Sequence, residues 1–147
     1  MADDLYDRDF YLWTKAQAEA LRKRSANELD YDLLAEEIED MGKRDFRECA
    51  SRVRVILEHL WKLSASTQPE PRGGWKATIL TQRAELEDAL TPTIRAMVKE
   101  RLEKLHADAL KAATAAFETE EPSAPSLSTS LRWSLAQVLG EEDDPLR

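Results

Sequence analysis

The sequence holds one cysteine, four glycines and no apolar run near the ~18 residues that would cross a membrane, and each shortage narrows what the chain can be. A lone Cys49 excludes an intrachain disulfide and any multi-cysteine metal site. It falls on an apolar helical face, where a thiol acts first as a small hydrophobe. With so few glycines there is no phosphate-cradling loop, since Gly73-Gly74 stands alone after two prolines, and no serine or cysteine occupies a nucleophile turn. The opening Met-Ala-Asp-Asp has neither a basic leader nor the apolar segment of a secretion signal, so a cytoplasmic location is expected.

What is present is amphipathic and charged: 42% hydrophobic and 34% charged residues suit a helical protein better than a sandwich, a barrel or a disordered chain. At 147 residues the chain fits a single domain over residues 1–147, long enough to bury about 68–70% of the surface its unfolded form exposes. The formal charge of −8 is unevenly spread, with a net seven negative charges in residues 1–42, four positive in 43–111 and five negative in 112–147. An acidic total argues against unspecific binding to DNA or to anionic membranes.

Residues 45–64 organise the rest. Phe46, Cys49, Ala50, Val53, Ile56, Leu57, Leu60 and Trp61 recur at helical spacing, while Arg44, Arg47, Arg54, Glu58 and Lys62 form a mostly basic ridge opposite. Before it, residues 1–6 are expected to be loose, and Asp7 caps a helix to about Arg24 that shows Phe10, Trp13, Ala16, Ala20 and Leu21, with Gln17 the one polar member of the stripe. Asp30 then caps a helix with Tyr31, Leu34, Ala35, Ile38 and Met41 on one side, which Gly42 ends in a hairpin or a bend.

After the central helix, residues 65–74 carry two prolines and two glycines and read as a loop. Trp75, Ile79, Leu86 and Leu90 make the next helix amphipathic; Gln82 lies inside its stripe and needs a partner, with Arg83 at the edge. Thr91-Pro92 restarts the chain as a long helix reaching Ala116, interrupted on its apolar face by Arg101 and Asp108. Residues 118–130 read as a loop, Ser134 with Gln137 forms a capping box for a short last helix, and residues 140–147 are expected to be loose. The fold class is therefore all-α, an irregular bundle of about five helices plus a short C-terminal one around the central helix.

Several blocks resemble a known bacterial family. Leu5-Tyr6 with Asp9-Phe10 and Trp13, Leu29-Asp30 with Glu36-Glu37-Ile38-Glu39 and Gly42, Ser51-Arg52-Val53-Arg54 with His59-Leu60 and Lys62, and Trp75, Ile79, Gln82 and Arg83 are together similar to the family catalogued as domain of unknown function 29. The likeness spans nearly the whole chain. Leu63 stands where the family commonly has an aromatic residue, and Ile94 where it has leucine after the proline. The resemblance implies an all-helical fold and brings no established activity, substrate or catalytic residue.

Glu103-x-x-His106 has the spacing of a diiron ligand pair, but such a site takes two pairs and a glutamate from each of two further helices, and one pair exists here. No metal or other cofactor is therefore expected. Glu36, Glu37, Glu39 and Asp40 could serve a divalent ion or acid–base work, and are more simply paired with the basic ridge. His59 borders the apolar face as a packed histidine would, and Trp75 closes one end of the core. The ridge, with Arg72, Lys76 and Arg83, is the one feature suggesting nucleic acid, and it lacks interleaved aromatics.

Amphipathic helices without evident chemistry make the first expectation a small interaction module with a protein partner, a second copy of the chain included. The residues singled out for a site are Glu36, Glu37, Arg47, Arg54, His59, Trp75 and Arg83. The alternatives are an enzyme built on Glu36, Glu37 and His59, and a weak nucleic-acid binder using the ridge.

Overall fold

The structure is a computed structural model that describes residues 2–147. Among them are seven α-helices, one 3-10 turn and no strand. The chain forms two compact units, Met1–Arg44 and Asp45–Arg147, each described by itself.

In the first unit, α1 (Ala2–Arg8) leads directly into α2 (Phe10–Lys23), followed by a 3-10 turn (Ala26–Glu28) and the start of α3 (Tyr31–Ala65). The segment expected to be loose is thus helical from Ala2, with Met1 outside the described residues. The cap of α2 is Asp9 rather than Asp7: its carboxylate accepts the Leu12 N–H at 3.0 Å, satisfying a donor that the first turn leaves free. Trp13, Gln17 and Ala20 are buried. Gln17 keeps its place in the stripe by using both ends of its amide, donating to the Glu28 carbonyl at 3.1 Å and accepting the Asp30 N–H at 2.8 Å. The Asp30 carboxylate, expected to cap α3, instead accepts the Trp13 indole N–H at 2.6 Å.

Gly42 does not end the helix. It lies inside the 35 residues of α3, exposed and without positive φ. An interior helical glycine costs roughly 1 kcal/mol relative to alanine, too little to break a helix whose apolar spacing continues on both sides. The expected central helix at 45–64 is the second part of this longer one.

In the second unit, α3 contributes Cys49, Val53, Ile56, Leu57, Leu60 and Trp61 to a core completed by Ile79 and Leu86 of α4 (Glu70–Ala89), Val98 of α5 (Pro92–Glu100), Leu105, Ala109 and Ala113 of α6 (Leu102–Glu120), and Leu135 and Val138 of α7 (Leu135–Leu139). The two prolines expected to interrupt residues 65–74 start α4 instead. Pro69 stands at its N-cap and Pro71 in its first turn, where the missing N–H would have had no helical partner, and Gly73 and Gly74 are exposed helical residues. Thr91 caps α5 as expected, accepting the Ile94 N–H at 3.2 Å. The single long helix anticipated after it is broken at Arg101, whose φ of −91° and ψ of 2° leave the helical region. The capping box of Ser134 and Gln137 opens α7, and Gly140 closes it at φ 76°.

Candidate functional site

In the second unit, the buried polar side chains are consumed by holding the fold together. His106 is fully buried. Its Nδ1 faces the Leu102 carbonyl at 2.8 Å, its Nε2 accepts the Trp133 N–H at 3.1 Å, and its ring meets Trp61 edge-on. With both nitrogens engaged and Glu103 paired to Arg132, the Glu-x-x-His pair has no free ligand geometry. Burial pushes the His106 pKa below its usual value. Among the described residues no group of three His, Cys, Asp or Glu side chains is placed to hold a metal.

Glu121, at the end of α6, is a buried carboxylate that accepts from the Ser66 hydroxyl at 2.8 Å and from the Thr67 N–H and hydroxyl, both at 3.0 Å. Burial would raise its pKa, but these donors outweigh that and hold it below the ordinary range. Arg83 does for α7 what Glu121 does for the α3–α4 turn. Its guanidinium donates to the Val138 carbonyl at 2.9 Å, to the Gln137 carbonyl at 3.2 Å and to both oxygens of Asp144, closing the last turn of the helix and fixing the tail. Its hydrogen bond is the main reason the Asp144 pKa is lowered. Residues 140–147 are thus tied down, with Arg95 pairing Glu141 as well.

The other candidates of this unit are similarly engaged. His59 Nδ1 bonds the Val55 carbonyl of its own helix at 2.7 Å. Arg54 and the buried Lys62 both flank Glu58, at 3.5 Å each. Trp75 is half-buried, tilted against Phe117 and covered by the Lys62 ammonium at 5.8 Å. Gln82 finds its partner in Arg52 at 3.0 Å. Arg101 lies over the Phe46 ring and Asp108 pairs with Lys104, both exposed rather than intruding on the core. Arg47 is exposed and forms no ion pair among the described residues.

The first unit is different, because its apolar groups are largely uncovered. Of the nine exposed large hydrophobic side chains among the described residues, seven lie between Phe10 and Met41. Three of them are on α3: Tyr31 at 61%, Ile38 at 66% and Met41 at 60% exposure. Tyr31, Ala35, Ile38 and Gly42 recur at alternating steps of four and three, a single stripe on one face of the helix, all exposed. The flanks are charged. Glu37 accepts the Tyr6 hydroxyl at 2.5 Å and faces Arg44 at 3.7 Å, while Glu36, Glu39, Asp40 and Lys43 are exposed. The Glu37 hydrogen bond, then burial and the carboxylates of Glu37, Glu36 and Asp40, push the Tyr6 pKa up to about 12. Tyr6 also packs edge-on to Phe10 and Trp13, which braces α1 and α2.

Sequence reasoning singled out Glu36 and Glu37 and marked Tyr31, Leu34, Ala35, Ile38 and Met41 as an apolar face; periodicity marks such a face without saying whether anything covers it. It missed the roles of Glu121 and Asp144, each of which acts on residues far away in the chain.

A family profile described as "Domain of unknown function DUF29" matches residues 5–142. The chain is also similar to a crystallised alpha-helical protein of unknown function from Rhodospirillum rubrum, with 26% identity, 95% of this chain and 92% of that one covered, and a TM-score of 0.69. No curated protein matches.

Proposed function

The chain belongs to the family described as domain of unknown function DUF29, and we propose that it is a small protein-interaction module that docks its partner on the exposed stripe of α3. The observation supporting this is the uncovered apolar surface of the first unit. Tyr31, Ile38 and Met41 together form a patch of the kind that soluble proteins keep exposed where another surface meets them. Burying one such side chain is worth roughly 1.5–3 kcal/mol, so three supply the core of a specific contact. The charged flank of Glu36, Glu37, Glu39, Asp40, Lys43 and Arg44 supplies the polar rim that sets orientation. The second unit, with its polar groups turned to internal bonds, serves as the scaffold.

The module is assigned to the bacterial cytoplasm, supported by the source of the solved neighbour and by the absence of any helix long and apolar enough to cross a membrane among the described residues. The test is affinity purification of the tagged chain beside an Ile38→Glu/Met41→Glu variant of equal helicity. Partners, a second copy included, should be recovered with the wild type and lost with the variant; equal recovery on both, or none on either, removes this reading.

A further inference from the structure

We propose that the partner on this stripe is a second copy of the chain, the two α3 helices pairing antiparallel about a two-fold axis near Asp40. The inference rests on the docking reading above and names its occupant. Charge order along the helix carries it: Glu36, Glu37, Glu39 and Asp40 precede Lys43 and Arg44 within less than three turns. Two copies laid parallel would set acid against acid. Laid antiparallel, each acidic segment meets the other's basic one, as the self-complementarity of an isologous contact requires.

The register follows from the stripe. Ile38 of one copy faces Gly42 of the other, and an added Cβ at Gly42 would meet nothing within 4 Å in its own chain. A glycine that weakens a helix without serving a turn or an internal contact leaves room for a neighbour's side chain and a close approach of backbones. In the same register Glu39 lies within reach of Lys43 of the other copy, while Glu37 and Arg44 stay paired within their own chain. The two-fold axis repeats the Glu39–Lys43 pair.

The experiment is sedimentation equilibrium on the full chain, the Lys43→Glu variant, the Glu39→Lys variant and an equimolar mixture of the two, with circular dichroism confirming equal helicity. The wild type should be a dimer. Each variant alone sets like charges opposite each other twice and should dissociate about tenfold more readily, which corresponds to about 1.4 kcal/mol. The mixture should regain the wild-type constant, since each altered residue then meets its opposite charge. A monomeric wild type, variants that dimerise as tightly as the wild type, or a mixture no tighter than its parts overturns the pairing. If the wild type is monomeric while the Ile38→Glu/Met41→Glu variant still loses captured proteins, the stripe remains a docking face and its occupant is a different chain.

Discussion

Trp133 donates its backbone N–H to Nε2 of His106 at 3.1 Å, and this one bond fastens the loop after α6 to the helix it has just left. The ring can accept there only while Nε2 is unprotonated, since a proton on that nitrogen would face the Trp133 donor.

That geometry makes stability fall on mild acidification. The folded pKa of His106 lies below its ordinary value because the ring is buried, with Arg132 acting in the same direction against the Leu102 carbonyl and Glu103. As pH falls through about 6.5 the unfolded chain takes up a proton that the folded one refuses, so stability present above that pH is progressively lost. Thermal melts between pH 7.5 and pH 5 should show this loss. A His106→Leu variant should be weaker at pH 7.5 by roughly 1–3 kcal/mol, because the Trp133 N–H loses its acceptor, yet flatter across the window. A His106→Leu chain as acid-sensitive as the wild type would place the effect elsewhere.

Glu121 gives a second, separate acid response. Its folded pKa is held below the usual carboxylate range, so its contribution is present above that range and disappears as pH falls through it, below the histidine window. Glu121→Ala strips the acceptor from the Ser66 and Thr67 hydroxyls and the Thr67 N–H, which should lower the melting temperature and speed amide exchange at Thr67. Unchanged exchange there would mean that the carboxylate does not hold the turn.

At Gly140 a side chain meets two obstacles. The residue is left-handed, and an added Cβ would lie 2.7 Å from Nη1 of Arg83 and 2.8 Å from its Cζ. The backbone alone disfavours alanine by roughly 1–2 kcal/mol. Gly140→Ala should exceed that, because the displaced guanidinium also gives up its bonds to Val138 and Asp144. In an Arg83→Ala background the excess should vanish, which a double-mutant cycle measured by urea unfolding would detect.

Gly42 separates the fold from the interface. Gly42→Ala should stabilise α3 by up to about 1 kcal/mol, since the position is helical and open. Gly42→Leu should leave the helix intact while displacing Ile38 of the other copy, raising the dissociation constant. Tighter association in the leucine variant would exclude a close approach at this point.

The all-helical class, the buried face running from Cys49 to Trp61, the cap at Thr91 and the capping box at Ser134 were legible because each is written in local spacing or in a cap dipeptide. The errors came where a local rule was outweighed. Gly42, Gly73 and Gly74 read as breakers, but their penalty is small beside a helix continued on both sides. Pro69 and Pro71 read as interruptions when they stand at the one end of a helix that tolerates them. Arg83 with Asp144, and Glu121 with Thr67, join residues more than fifty apart, and no spacing rule reaches that far. The stripe at Tyr31, Ile38 and Met41 has the same periodicity as the covered face of its own helix, so only the structure distinguishes the two.

Hydrogen exchange of the α3 amides across a dilution series tests the paired stripe most directly. The first unit buries few side chains, so its helices should open locally when nothing covers them. Protection at residues 35–42 should rise with protein concentration while that at Val53–Trp61 stays constant. Protection at residues 35–42 that is independent of concentration would contradict a second copy on that face.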